Sequence, residues 1–216
     1  MKVIRASYEI LTPISEGGIS ELQHIERIGR VCYKSEDAIL SDGSSAKVFV
    51  GSLIKRQHEA MLEHGMLSIK FIVDRGVSHE LVRHRIMSFA QESTRYCNYG
   101  KGKFGSEITV IEPCFLEPHQ SAWKTWHHAC ALAETSYFKM LNEGCQPQEA
   151  RSVLPNSLKT EITLTGNYRE WRHFFRLRAC DATGPAHPQM KEVTVPLLKE
   201  LKEKLPVIFD DLEIKE

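Results

Sequence analysis

The sequence predicts an α+β fold, a single domain over residues 1–216 with a mixed or antiparallel sheet packed against several helices. Three observations predict it. The stretches 66–73 and 158–165 alternate apolar and polar residues over much of their length, the period-two signature of half-buried strands. Several longer stretches instead repeat apolar residues every three or four positions, as amphipathic helices do. The two kinds interleave irregularly, which favours α+β over a doubly wound parallel sheet. No internal repeat or low-complexity linker marks a domain boundary.

Taken in order, residues 3–10 are β-branched and aromatic and predict a strand. Ser20 can cap a helix over 21–33, along which Leu22, Ile25, Ile28 and Cys32 recur at helical spacing. A polar loop over 35–45 precedes a helix over 46–62 with Phe49, Val50, Leu53, Ile54 and Met61 as its inner face. After the strand 66–73, Gly76 breaks the chain and a helix over 78–89 starts at Ser78. The glycine- and lysine-rich stretch 99–105 reads as a flexible loop, and 108–111 predicts a short strand. A long helix over 120–142 ends at Gly144, and a short one over 149–154 stops at Pro155. Gly166-Asn167 turns the strand 158–165 into a helix over 168–179, and a last helix covers 189–204.

Composition narrows the function classes. Twenty-eight basic residues balance 28 acidic ones, so no global field draws in nucleic acid or an anionic membrane, and any basic site is local. No apolar run is long enough for a membrane span, and the first residues do not read as a signal peptide. The six cysteines are scattered without a C-x-x-C pair, which reads as reduced thiols and a cytoplasmic protein. His58 and His64 are six apart and do not share a helix face, and no H-E-x-x-H occurs, so no metal site is expected.

Chemistry concentrates in two places. Residues 83–96 gather three arginines, a histidine, three Ser/Thr hydroxyls and the pair Gln91-Glu92. Such a density of donors suits a site for phosphate and a planar heterocycle. The plainer alternative is a solvated basic helix end, favoured by the helix dipole. On a helix, with about 100° of turn per residue, Arg83, His84 and Arg85 fan apart, which fits a site shared between subunits better than one ligand within one subunit. The second place is the helix over 168–179. There Tyr168, Trp171, Phe174 and Phe175 form an apolar arc, Arg169, Arg172, His173 and Arg176 lie outside it, and Arg178 falls inside it. A guanidinium on a buried face must be paired. It is either a structural ion pair or a cation held in a dry pocket to stabilise charge developing on a ligand.

These residues resemble a known family. Arg83-His84-Arg85, seven residues, then Ser93-Thr94-Arg95 is similar to the signature of the flavin-dependent thymidylate synthases. Arg30 to Tyr33, the histidine-containing segment from His58 to His64, Arg151 to Pro155 and Asn167 to Arg178 follow in the family's order and spacing. The resemblance implies an α+β homotetramer with active sites at subunit interfaces. It implies FAD as cofactor, with dUMP, 5,10-methylenetetrahydrofolate and NADPH as substrates.

It assigns Ala60, Arg83, His84, Arg85, Gln91, Asn167, Tyr168, Arg169 and His173 to FAD-binding places. It assigns Glu80, Leu81, Val82, Arg83, Gln91, Glu92, Ser93, Thr94, Arg95, Arg151 and Arg178 to dUMP-binding places. Arg178 corresponds to the arginine that favours ionisation of the uracil, and no cysteine nucleophile is required. Ser93 has no evident His-Asp relay and is assigned to binding. Many relatives carry Asn and Glu where this chain has Ala90 and Gln91, and Ser or Thr where it has Ala60. Two other readings stay open: a nucleic-acid-binding module using two basic helices, and a metal-dependent hydrolase built on His58, His64 and His84.

Overall fold

Thirteen regular elements form among residues 1–100 and 105–215, which the computed structural model describes. In chain order they are β1 (Lys2–Ile4), β2 (Ser7–Ile10), α1 (Ile19–Val31), α2 (Ser44–Lys55), β3 (Met66–Asp74), α3 (Arg75–Leu81) and β4 (Ser88–Gln91), then β5 (Thr109–Ile111), α4 (Ser121–Asn142), α5 (Pro147–Ala150), β6 (Lys159–Asn167), α6 (Tyr168–Arg178) and α7 (Pro188–Lys204). The fold is α+β, as expected. A four-stranded sheet has the order β2-β3-β6-β4. A second, two-stranded sheet pairs β1 with β5 in parallel, Lys2 opposite Thr109, and an isolated antiparallel bridge joins Val110 to Leu158.

The chain divides into two compact units. The first comprises Met1–Tyr8, Lys70–Arg83 and Phe89–Thr163. Its core gathers Tyr99, Ile108, Val110, Cys130, Tyr137, Ala150 and Leu158. The long helix α4 fully buries only Cys130 and Tyr137 of its 22 residues in the single chain. α5 is set by a capping box between Gln146 and Glu149, with Pro147 at its first position.

The second unit comprises Glu9–Ile69, His84–Ser88 and Leu164–Glu216. Here α1 packs on α2, with Leu22, Ile25, Val50 and Leu53 buried, and α6 packs on α7. Trp171, Phe174, Phe175 and Phe209 make an aromatic cluster with ring centroids 5.1–5.8 Å apart. The Trp171 indole N–H donates to the Leu67 carbonyl at 2.9 Å, which fixes the inner face of α6. Gly65 permits the closest approach in this unit: a Cβ there would meet Tyr168 Cε2 at 2.1 Å.

Several expectations are corrected. The strand over 3–10 is two strands that join different sheets. Ser20 does not cap α1; Gly18, in the left-handed region, precedes the helix, and the Ser15 hydroxyl accepts the Ser20 amide. The helix over 46–62 ends at Lys55, because Gln57 adopts a positive φ of 59°, and Glu59–His64 forms a separate 3-10 helix. Gly166 and Asn167 are not a turn but the end of β6. The helix over 78–89 is α3, which begins earlier, with the Asp74 carboxylate accepting the Val77 amide, and ends at Leu81. Ser88 to Gln91 pair in a sheet instead, so the fan of Arg83, His84 and Arg85 around a helix does not exist. The flexible reading of 99–105 concerns residues of which 101–104 lie outside the described residues.

Candidate active site

In the second unit the site is built from the start of α6. The Asn167 side chain caps the helix by accepting the Glu170 amide at 2.8 Å, so this asparagine is held by the same bond that starts the helix. Asn167, Arg169, Glu170, His173 and Arg176 then line a cavity of about 570 Å³ with Glu59, Glu63 and the exposed Ile86. Three carboxylates share this cavity with three basic side chains, and the pairing is specific. Arg169 bonds Glu63 at 2.5 Å on the surface. Arg176 bonds Glu59 at 2.8 Å. Burial would raise the Glu59 carboxyl, but attraction to Arg172 and the bonds to Arg176 hold it below its ordinary value. Burial pushes the Glu170 carboxyl up, an effect partly offset by His173.

The fully buried cation on α6 is Arg172, not Arg178. Arg172 is 0 % exposed and bonds Glu59 through Nε and Nη2, Asp211 through Nη1 and Nη2, and the Ile208 carbonyl through Nη1. A helical projection shows only the face packed on the aromatic cluster. The opposite side of α6 is covered by chain distant in sequence, which carries the two acids. Arg178 is only half-buried and donates from Nε to His84 Nε2 at 3.1 Å.

His84 is 5 % exposed and lies edge-on to Phe174, with ring centroids 4.8 Å apart. Of the other flavin-assigned residues in this unit, Arg85 and Ala60 are exposed, while the Tyr168 ring is buried against Gly65 and Phe209.

The first unit holds most of the residues assigned to the nucleotide. The Gln91 amide donates to Ser78 Oγ at 3.0 Å and to Thr160 Oγ1 at 3.3 Å. Glu92 accepts from Tyr99 at 3.1 Å and from Lys159 at 3.0 Å, and Lys159 also bonds Glu161. Ala90, Gln91, Glu92, Lys159 and Glu161 line a second cavity of about 550 Å³ with Lys70, Cys97 and Thr163.

Thr94 is buried and accepts from Arg151 Nη1 at 3.2 Å, so the two sequence segments assigned to the nucleotide meet there. The Ser93 hydroxyl accepts the Arg95 amide, and the Arg95 guanidinium lies over the Tyr96 ring at 5.5 Å, both side chains exposed. Glu80 is half-buried, Leu81 fully buried, and Val82 and Arg83 are exposed. Two residues stand in this architecture without having been singled out. Glu170 and Lys159 are buried and half-buried charges on α6 and β6. Their signal was a charge in a strand or helix otherwise well patterned.

A family model described as thymidylate synthase complementing protein matches residues 20–207. A flavin-dependent thymidylate synthase of Corynebacterium aurimucosum is 32 % identical over 217 residues, covering 93 % of this chain and 84 % of its own. The chain belongs to the flavin-dependent thymidylate synthase family. A second member, from Geobacter sulfurreducens, is 32 % identical over 187 residues, covering 84 % of this chain and 78 % of its own. A crystal structure of a UMP/dUMP methylase, PolB from Streptomyces cacaoi, bound with 5-Br dUMP, superposes with a TM-score of 0.76 at 23 % identity. It covers 97 % of this chain and 96 % of its own, a likeness of fold. The nucleic-acid module and the metal hydrolase give way to an enzyme of this family. No helix among the described residues is long and apolar enough to cross a membrane.

Proposed function

We propose that the protein converts dUMP to dTMP, taking one carbon from 5,10-methylenetetrahydrofolate and a hydride that NADPH supplies through bound FAD. The reading rests on family membership. The observation that carries it is the cavity at the start of α6, where Asn167, Arg169 and His173 stand together with Arg176. Their donor set suits a flavin dinucleotide if Arg169 and Arg176 turn from Glu63 and Glu59 toward the pyrophosphate, with polar groups beside the apolar Ile86 for the remainder. When bound, the flavin supplies the hydride that completes the methyl group.

The chain's own residues do the rest. Uracil C5 becomes nucleophilic only if negative charge on the ring is stabilised, and Arg178, always protonated, is the residue for that task. Arg95, Arg151 and the Ser93 hydroxyl hold the dUMP phosphate, and the Gln91 bonds to Ser78 and Thr160 fix the strand that presents them. We further propose that the active form is a cytoplasmic homotetramer with shared sites and that 1–216 acts as one domain. The sparsely buried α4 and the 74 % and 79 % exposure of Ile86 and Tyr96, which flank the arginines, support assembly.

The deciding experiment is reconstitution. Purified protein given FAD should hold it, and with dUMP, methylenetetrahydrofolate and NADPH should form dTMP. A protein that retains no flavin and forms no dTMP would end this reading.

A further inference from the structure

Glu170 and Arg178 stand eight residues apart on α6, with Phe174 midway between them. At i, i+4 and i+8 they run along one side of the helix, two turns and about 12 Å apart along its axis, too far to pair directly. His84, from a different stretch of chain, lies across that gap with its ring edge-on to Phe174. One ring nitrogen, Nδ1, is 3.5 Å from Glu170 Oε1, and the other, Nε2, is 3.1 Å from Arg178 Nε.

The direction of these contacts fixes the ring's proton. An arginine Nε always carries hydrogen and cannot accept, so His84 Nε2 must present its lone pair. The imidazole is then neutral and carries its proton on Nδ1, facing the carboxylate. A protonated Nε2 would set two N–H groups against each other. At 3.5 Å the Glu170 contact is longer than a full hydrogen bond, but in a buried setting a carboxyl oxygen still favours the proton on the near nitrogen. His84 and Glu170 are 5 % and 7 % exposed, so the contact between them lies largely away from water.

The geometry points to Glu170 as a positioning residue: it selects the Nδ1–H form of His84, and His84 in that form holds the Arg178 guanidinium in place. This rests on the reading of Arg178 as the group that stabilises charge on the uracil. It adds an acid from the cavity wall to that role, acting through His84, and it gives His84 a task toward Arg178.

The test uses the full-length protein labelled at histidine and arginine nitrogens, studied by NMR, beside steady-state kinetics. His84 should show the Nδ1–H tautomer. Glu170→Ala should raise the share of the Nε2–H form, in which the contact to Arg178 is lost, and shift the Arg178 Nε signal, while Glu170→Gln, which keeps an acceptor oxygen, should leave both as they were. In turnover, Glu170→Ala should lower kcat on the order of 10- to 100-fold with KM for dUMP little changed, and Glu170→Gln should recover most of the loss. A wild-type His84 protonated at Nε2, or an unchanged tautomer and Arg178 signal in folded Glu170→Ala, overturns the proposal. If the wild type forms no dTMP, the reaction assigned above is removed. The NMR arm decides the His84–Arg178 contact separately, since it needs no substrate.

Discussion

Glu59 Oε1 accepts from Arg172 Nε and Nη2 at 3.0 Å each and from Arg176 Nη2 at 2.8 Å, so a single carboxylate holds one cation inside the fold and another at the cavity edge. Asp211 completes the set around Arg172 at 2.6 and 2.7 Å. Removing Glu59 leaves a fully buried guanidinium short of a partner. Glu59→Ala should therefore destabilise the protein by about 3 kcal/mol, read as a lowered urea midpoint with unchanged slope. A midpoint equal to wild type would show that Asp211 and the Ile208 carbonyl suffice.

The same cluster sets an acid dependence. The Glu59 and Asp211 carboxyls are both raised by burial, but the bonds and attraction of the arginines more than offset this and leave them below their ordinary values of 4.5 and 3.8. Between the folded and unfolded values the unfolded chain binds more protons, so stability rises with pH there. The contribution is complete above the ordinary values and is lost as pH falls through the depressed ones. Urea midpoints followed downward from neutral pH should fall across that acid range, and Arg172→Met should flatten the fall.

Arg169 makes an exposed pair with Glu63, and such pairs contribute about 0–1 kcal/mol. Arg169→Ala should leave the thermal midpoint nearly unchanged while weakening flavin binding, measured by fluorescence titration with FAD. Unaltered affinity would remove Arg169 from the cofactor site.

Arg178→Ala should cost on the order of 100-fold or more in kcat, by analogy with the loss of a preorganised donor to developing charge. Arg178→Lys should not restore it, because a lysine ammonium lacks the Nε–H that His84 accepts. Full turnover by either variant, in the same dTMP assay, would take Arg178 out of the mechanism.

Gly65→Ala should destabilise by about 1–3 kcal/mol, the range for overpacking, since its Cβ would fall 2.1 Å from Tyr168 Cε2 and 2.3 Å from Cδ2. Calorimetry of the variant checks this. An unaltered midpoint would mean that Tyr168 shifts without loss.

Where local pattern and tertiary contact agree, the elements could be read directly. β3 and β6 carry the alternation of half-buried strands, α4 and α6 the helical period, and the Arg83–Arg95 signature is contiguous enough to be recognised as a string. The misreadings share one cause. Residues 78–89 have acceptable helical composition, but Ser88–Gln91 complete a sheet beside β6, and the next residue continues the contact, with the Glu92 amide donating to the Glu161 carbonyl at 2.8 Å. Those sheet bonds come from chain about 70 residues away and outweigh local propensity.

By itself the sequence determined the α+β class, the two long strands, the helix that carries Asn167 through Arg178, and the family. Each of these depends on the order and spacing of neighbouring residues. Only the tertiary structure decided which arginine of α6 is buried, because the charges that neutralise Arg172 lie 113 and 39 positions away at Glu59 and Asp211. It also decided that His84 faces Arg178 across Phe174. Ion pairs and buried histidines are satisfied by whichever groups the fold brings within a few ångströms, and sequence separation does not record that distance.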